Sequence, residues 1–257
     1  MDKQHPGWRA VWGQIIGARS DQQDACGATA AEDYAARGLL AVLSDGMGGM
    51  SAGELYSRVA TETMLRGFAA ETPAPDLCAQ LLGLFLAAQR EALRQIPGEN
   101  EGGATVVAVL IRDGRCAFLS CGDSRIYLLR GGGLLQLNRE HTLGPALDER
   151  AALGYLPQED ALYNTRRAAL TSHLGMTPLK AVDRNLRPFD LLRGDRLALM
   201  SDGVFGTLDD DTLCRALKAP LDQAPNQVTA LLRAAAHPKQ DNASVLLVGS
   251  DAINTRM

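Results

Sequence analysis

The stretch GATVVAVLIRDGRCAFLSCGDSRIYLLRGGGLLQL, residues 103–137, decides the fold class. Its apolar runs ATVVAVLI, CAFLSC, IYLLR and LLQL are broken by Asp113-Gly114, by Gly122-Asp123-Ser124-Arg125 and by Gly131-Gly132-Gly133. Short apolar runs separated by Gly and Asp read as strands joined by tight turns, so this region is an antiparallel meander. Two helices are expected before it. Over 51–71, Leu55, Val59, Met64, Leu65 and Phe68 repeat at helical spacing; over 76–96, Leu77, Leu81, Leu84, Phe85, Ala88 and Leu93 share one side; Thr72-Pro73-Ala74-Pro75 separates the two. Further toward the N-terminus, LLAVL at 39–43 reads as a buried strand stopping at a Ser44-Asp45-Gly46 turn, after a polar start with no element assigned. Beyond the meander, 138–188 has no long apolar run and reads as a surface excursion near the site, with two short helical patches. RLALM at 196–200 is a strand running into Ser201-Asp202-Gly203, 209–218 and 226–236 are helices, and SVLLV at 244–248 is a closing strand. Strands and helices come in groups, without strict alternation, which favours an α+β layered fold over a doubly wound parallel sheet. No linker divides the chain, so residues 1–257 are expected to form a single domain.

With 257 residues and 46% hydrophobic composition, the chain can bury a core without disulfides or a structural metal. Lys plus Arg number 26 and Asp plus Glu 30, a net charge of −4 that argues against a broad nucleic-acid-binding face. The longest apolar stretch, 81–88, is far short of the ~18 residues a membrane span needs, and MDKQHPGWR has no signal core, so a cytoplasmic protein is expected. Cys26, Cys78, Cys116, Cys121 and Cys214 are scattered with no C-x-x-C pair, so all five are expected to be small buried hydrophobes.

One internal echo points to chemistry. LAVL-Ser44-Asp45-Gly46-Met47 and LALM-Ser201-Asp202-Gly203-Val204 are nearly the same device, each delivering an Asp at the end of a buried strand. Asp123 leaves a third apolar run in the same way, and Asp241 sits just before a fourth. A single Asp-Gly after a strand is ordinarily a turn former. Four carboxylates that converge repel one another and take up protons unless divalent cations reverse that cost. The donors are carboxylates, carbonyls beside glycines, and water, which favours Mg2+ or Mn2+ over zinc or copper. Two such ions ~3.5–4 Å apart suit hydrolysis by in-line displacement at phosphorus. The cysteine-phosphatase loop, G-x-S-x-G, H-E-x-x-H and G-x-x-x-x-G-K-[ST] are all missing, and Asp45-Gly46-Met47-Gly48-Gly49 fails as a dinucleotide loop because Ser51 stands where a third glycine belongs.

In order and spacing, Arg19-x-x-Gln22-Gln23-Asp24-Ala25, Asp45-Gly46-Met47-Gly48-Gly49, Gly103-Ala104-Thr105, Gly122-Asp123-Ser124-Arg125-x-Tyr127-Leu128, Ser201-Asp202-Gly203 and Gln240-Asp241-Asn242-Ala243-Ser244 resemble the motifs of the metal-dependent protein phosphatases of the 2C type, in their bacterial branch. The resemblance implies a four-layer α-β-β-α sandwich with two central antiparallel sheets and a binuclear Mg2+ or Mn2+ centre. It places Asp45 between both metals, the Gly46 carbonyl on one, Asp202 and Asp241 on the other, and Asp123 with Asp202 on a third, weaker site. Asp24 would orient water from behind the metals, and Arg19 would grip phosphate oxygens. The chain departs from the pattern at Gln23, where many eukaryotic members carry a metal-ligating Glu, at Met47, where they carry a His, and at Thr171-Ser172-His173-Leu174-Gly175, where an Arg is common. Met47 cannot donate a proton.

The resemblance implies a monomeric phosphoprotein phosphatase that hydrolyses phosphoserine and phosphothreonine by attack of a hydroxide shared between two metals, opposing a bacterial Ser/Thr kinase. The alternatives are a metal-dependent hydrolase of small phosphate esters and a phosphoprotein-binding pseudo-phosphatase. Because His5, His141, His173 and His237 lie in no metal-ligand motif, replacing His5, His173 or His237 is expected to change turnover less than ~10-fold.

Overall fold

Strands apolar on both faces organise the molecule, a computed structural model that describes residues 7–48, 52–96 and 102–250. The chain runs β1 (Trp8–Ile15), β2 (Asp24–Ala28), a 3-10 turn and the short α1 (Tyr34–Arg37), β3 (Leu39–Gly48), α2 (Ala52–Ala70), α3 (Leu77–Gln95), β4 (Gly102–Ala104), β5 (Val106–Arg112), β6 (Arg115–Cys121), β7 (Arg125–Arg130) and β8 (Gly133–Gln136). It continues through α4 (Leu143–Ala152), α5 (Gln158–Leu162), β9 (Asp183–Arg184), β10 (Phe189–Asp190), β11 (Arg196–Met200), α6 (Asp202–Phe205), α7 (Asp210–Leu217), α8 (Ala224–Ala235) and β12 (Ala243–Ser250). One sheet has the order β1-β12-β11-β7-β8; the other has β10-β6-β5-β3-β2, with β4 on β3 and β9 on β6, so residues 103–137 form not one meander but two hairpins, β5–β6 and β7–β8, with the chain crossing between the sheets at Gly122-Asp123-Ser124. Every strand pairing is antiparallel.

The period of two along each strand explains the layers. Leu40 and Val42 of β3 pack under α2 and α3 with Tyr56, Met64, Phe68, Leu81 and Phe85. Their neighbours Leu39, Ala41 and Leu43 face Leu197, Leu199, Leu246 and Val248 of the other sheet. On that sheet's far side, Ala198, Met200, Val245 and Leu247 meet Leu213, Leu217, Val228 and Leu232 of α7 and α8. Three apolar layers therefore separate four structural ones, and continuous apolar runs such as LLAVL are what a strand covered on both faces requires. The helix starts follow local chemistry: the Asp76 carboxylate accepts from the N–H groups of Cys78 and Ala79, and that of Asp209 from Thr212 N–H.

The polar start conceals two edge strands. Trp8–Ile15 pairs with β12 and Asp24–Ala28 with β3; both are only half covered and each carries a glycine, which erases the apolar signature. The strand at 39–43 does not stop at a turn but runs on to Gly48, held by β4. The 138–188 segment is not wholly a surface excursion: Leu174 is fully buried and bridges Ala104, and Ser172 is buried beside it. Cys78, Cys116 and Cys121 are buried as expected, whereas Cys26 and Cys214 are only half-buried. No helix among the described residues is long and apolar enough to cross a membrane.

Candidate active site

At one end of the two packed sheets, aspartates from five places in the chain lie near enough for the charges of four to act on the fifth, Asp45. Asp24 opens β2 and lies directly across from Asp45 on β3. Asp123 sits in the turn from β6 to β7, Asp202 follows β11, and Asp241 precedes β12. The two halves of the internal echo diverge locally: Asp45 lies inside a continuing strand, whereas Asp202 is the first residue of α6. Glycine makes both approaches possible. A Cβ on Gly46 would collide with the Gly53 carbonyl at the start of α2, and one on Gly203 with the Asn242 carbonyl.

Asp24 is 6% exposed and links its sheet to the other. Its Oδ2 accepts from Ser201 Oγ at 2.8 Å and Ser244 Oγ at 2.6 Å, and Gln14 Nε2 donates to Ser244 Oγ at 2.8 Å. Its Oδ1 is buried with no donor among the described residues. Burial pushes the Asp24 carboxyl up to about 6 against those hydroxyl bonds. Burial, then the charges of Asp24, Asp202, Asp123 and Asp241, hold Asp45 well above the ordinary carboxylate range. Burial and Asp202 push Asp123 up to about 7, and burial and Asp241 raise Asp202. Such mutual elevation marks a site arranged for a positive charge. The donor set is oxygen alone, which fits Mg2+ or Mn2+, and the orphaned Asp24 oxygen suits a cation-bound water.

Arg19 lies at the rim, with Nη2 2.6 Å from Asp241 Oδ2 and both side chains well exposed. Its loop is stapled by Asn242: Oδ1 accepts from Gln23 N–H at 2.8 Å, and Nδ2 donates to the carbonyls of Ile16 at 2.8 Å and Asp21 at 3.0 Å. Asp123 is held by a second staple. His141 Nδ1 accepts the Gly122 N–H at 3.0 Å while His141 N–H donates to Gly122 O at 2.8 Å. Thr105 bonds Asp45 through its hydroxyl and backbone and shares a hydroxyl bond with Ser124 at 2.7 Å. Ser201, Asn242 and Ser244 stand in the quoted motifs but had no role assigned to them, and Gln14 was not singled out; for Ser201 the serine before Asp in both echoes was the available signal. Gln23 Oε1 lies near Gly53 at the start of α2, and Met47 is half-buried on β3. Gly49, the last residue of the first glycine-rich motif, falls outside the described residues.

Residues 16–240 match the family model described as protein phosphatase 2C. The chain belongs to the protein phosphatase 2C family. This phosphatase 2C chain is 34% identical over 194 residues to the serine/threonine protein phosphatase PstP of Mycobacterium tuberculosis, covering 73% of its own length and 35% of PstP. It therefore spans about a third of that relative. It is 28% identical over 218 residues to the serine/threonine phosphatase stp of Listeria monocytogenes, covering 82% of the chain and 84% of stp. The crystal structure of the M. tuberculosis phosphatase superposes with a TM-score of 0.76 at 26% identity, over 95% of this chain and 98% of that one. A PstP catalytic domain in complex with two manganese ions superposes at 0.72 and 26% identity, over 94% and 97%. The four-layer sandwich is the architecture of these neighbours.

Proposed function

We propose that the chain is a protein-serine/threonine phosphatase dependent on Mg2+ or Mn2+. The observation that carries this reading is the nearness of Asp45, Asp202, Asp241 and Asp123 at one end of the paired sheets, where burial and neighbouring charge raise the carboxyls of Asp45, Asp123 and Asp202. Asp45 and the Gly46 carbonyl would hold one cation, Asp45 with Asp202 and Asp241 a second, and Asp123 with Asp202 a third, weaker one. Bound there, the cations would supply Lewis-acid activation of water and neutralise phosphate charge. Asp24, anchored by two serine hydroxyls, would orient that water. Arg19 binds the phosphate oxygens with its planar fork, leaving Asp241 to do so. The substrates are phosphoproteins, the partner that creates them a cognate Ser/Thr kinase, and the enzyme a cytoplasmic monomer acting as one domain. Phosphate release from a phosphothreonine peptide with Mn2+, set against a sugar phosphate, tests the reading. Release from the sugar phosphate alone would replace it with a small-ester hydrolase, and release from neither with a binding module.

Asn242→Asp keeps the shape of the staple but turns both donors into acceptors that face the Ile16 and Asp21 carbonyls. The Arg19 loop should loosen, raising KM for phosphopeptide and the inhibition constant of free phosphate together by about 10-fold, of the order expected when a charged hydrogen bond is lost. In an Arg19→Ala background the same substitution should add little. Steady-state kinetics on the four variants of this cycle check it, and additive losses would place Asn242 outside the phosphate grip.

A further inference from the structure

His141 is tied to Gly122 beside Asp123 and His173 lies against Gly103, and their hydrogen bonds give them different chemistry. His141 Nδ1 accepts a backbone N–H, an assignment that fixes its proton on Nε2 and commits Nδ1 to holding Gly122. His173 Nδ1 lies 3.0 Å from the Leu174 carbonyl oxygen, which can only accept. Its Nδ1 therefore carries the proton, and Nε2 is left to gain and give a second one.

Strand parity places the His173 ring. Leu174 exchanges backbone hydrogen bonds with Ala104 at 3.1 and 2.9 Å, and both side chains are buried in the layer under α2 and α3. Alternation turns His173 to the opposite side, the side that Leu39, Ala41 and Leu43 share with Asp45 and Met47 along β3. The ring fills the space above Gly103, where a Cβ would collide with His173 Nδ1. Gly103 is directly cross-strand from Met47, so strand geometry puts the imidazole on the Met47 side of the sheet, two residue pairs along from Asp45.

We propose that His173 is the proton donor to the leaving serine or threonine, a role Met47 cannot fill. The inference rests on the phosphatase reading above and reverses the expectation that His173 is dispensable. As the oxygen of water bonds to phosphorus, the phosphorus–oxygen bond to the side chain breaks and its electron pair stays on the seryl or threonyl oxygen. That oxygen takes the proton from His173 Nε2. The proton released by water passes to solvent, and solvent recharges the ring, leaving alcohol and inorganic phosphate.

A donor matters most where the leaving alkoxide is poor, so the test compares leaving groups. In the Mn2+-loaded wild type, kcat/KM should vary little between alkyl and aryl phosphates. His173→Gln should lose about 100-fold on a phosphothreonine peptide and less than about 3-fold on p-nitrophenyl phosphate, within the usual range for general acid catalysis. Met47→His in that background should restore the peptide reaction alone. Calorimetric Mn2+ affinity and Tm should match wild type. Equal losses on both substrates, no loss on either, or a steep leaving-group dependence already in the wild type would overturn the proposal; the wild-type series needs no variant to fold. Failure of the wild type to release phosphate from any phosphopeptide would bring down the phosphatase reading and this inference with it, whereas normal release with an unselective His173→Gln removes only the inference.

Discussion

Asp45→Asn is expected to lower turnover with Mn2+ by at least about 100-fold while making the metal-free protein more stable. The catalytic loss follows because the side chain at the centre of the acidic cluster gives up the charge that would hold two cations, and each tenfold in rate is only about 1.4 kcal/mol of barrier. The gain in stability follows from the same charge. Burial and four neighbouring aspartates hold the Asp45 carboxyl well above its ordinary value, so in the absence of metal its ionised form is costly at neutral pH. An amide of the same shape removes that cost and relieves the repulsion that its charge exerts on the neighbouring aspartates. For a domain of this size about 1 kcal/mol moves Tm by about 2–4 °C, so a rise of several degrees in EDTA is expected. Thermal denaturation with and without Mn2+, run beside phosphopeptide kinetics, reads both effects. An Asp45→Asn protein that keeps its turnover, or that melts lower than wild type in EDTA, would show that Asp45 is not the crowded centre of a cation site. Trading stability for function in this way is common where like charges are gathered for catalysis.

The same crowding explains what the sequence disclosed. Central strands declare themselves because burial on both faces demands unbroken apolar runs, as in LLAVL and RLALM, and the helices at 51–71 and 76–96 because one apolar face repeats. β1 and β2 were silent because edge strands owe little to burial: Trp12 is 47% exposed, and Gly13 and Gly27 occur mid-strand where Pro225 and Leu65 crowd in. Their existence depends on partners more than 200 residues away in the case of β1, whose Gly13 pairs with Val245, and no local pattern encodes that.

At the site, the charged residues were legible because an Asp at the end of a buried strand is conspicuous, and a repeated one more so. Their supports were not. Ser201 and Ser244 bond Asp24 from 177 and 220 residues away, and Asn242 clasps a loop more than 200 residues distant. Hydroxyl and amide groups of this kind are common in any chain, and only the closing of the two sheets gives these particular ones a partner. His173 became interpretable for the same reason: its buried neighbour Leu174 bridges Ala104, and its ring lies against Gly103, contacts between segments some 70 residues apart.

Mn2+ is expected to raise Tm far more at pH 8 than at pH 5. In metal-free protein, burial keeps the proton on Asp24 up to about 6 and on Asp123 up to about 7, whereas in the unfolded chain each leaves near 3.8. Between those values the folded state binds more protons than the unfolded one, so the slope of stability against pH is negative and stability falls as pH rises from about 4 to 7. One pKa unit is worth about 1.4 kcal/mol, so the Asp24 shift alone costs the folded protein about 3 kcal/mol at pH 8. Carboxyls shifted the other way, Glu91, Asp148, Asp209 and Asp222, sit on the surface beside their donors; their contribution is lost only as pH falls through the ordinary carboxylate range and below, outside this window. A cation that binds only the folded state adds about 4 kcal/mol at 1,000 times its Kd and takes up the charge that made high pH unfavourable. Thermal melts at pH 5, 6, 7 and 8 in EDTA should therefore show a declining Tm, and the same series in excess Mn2+ a nearly level one at higher temperature. A metal-free Tm that is flat or rises over this range would mean the aspartates are not crowded without metal; a decline that Mn2+ leaves in place would mean that the cation binds somewhere other than among them.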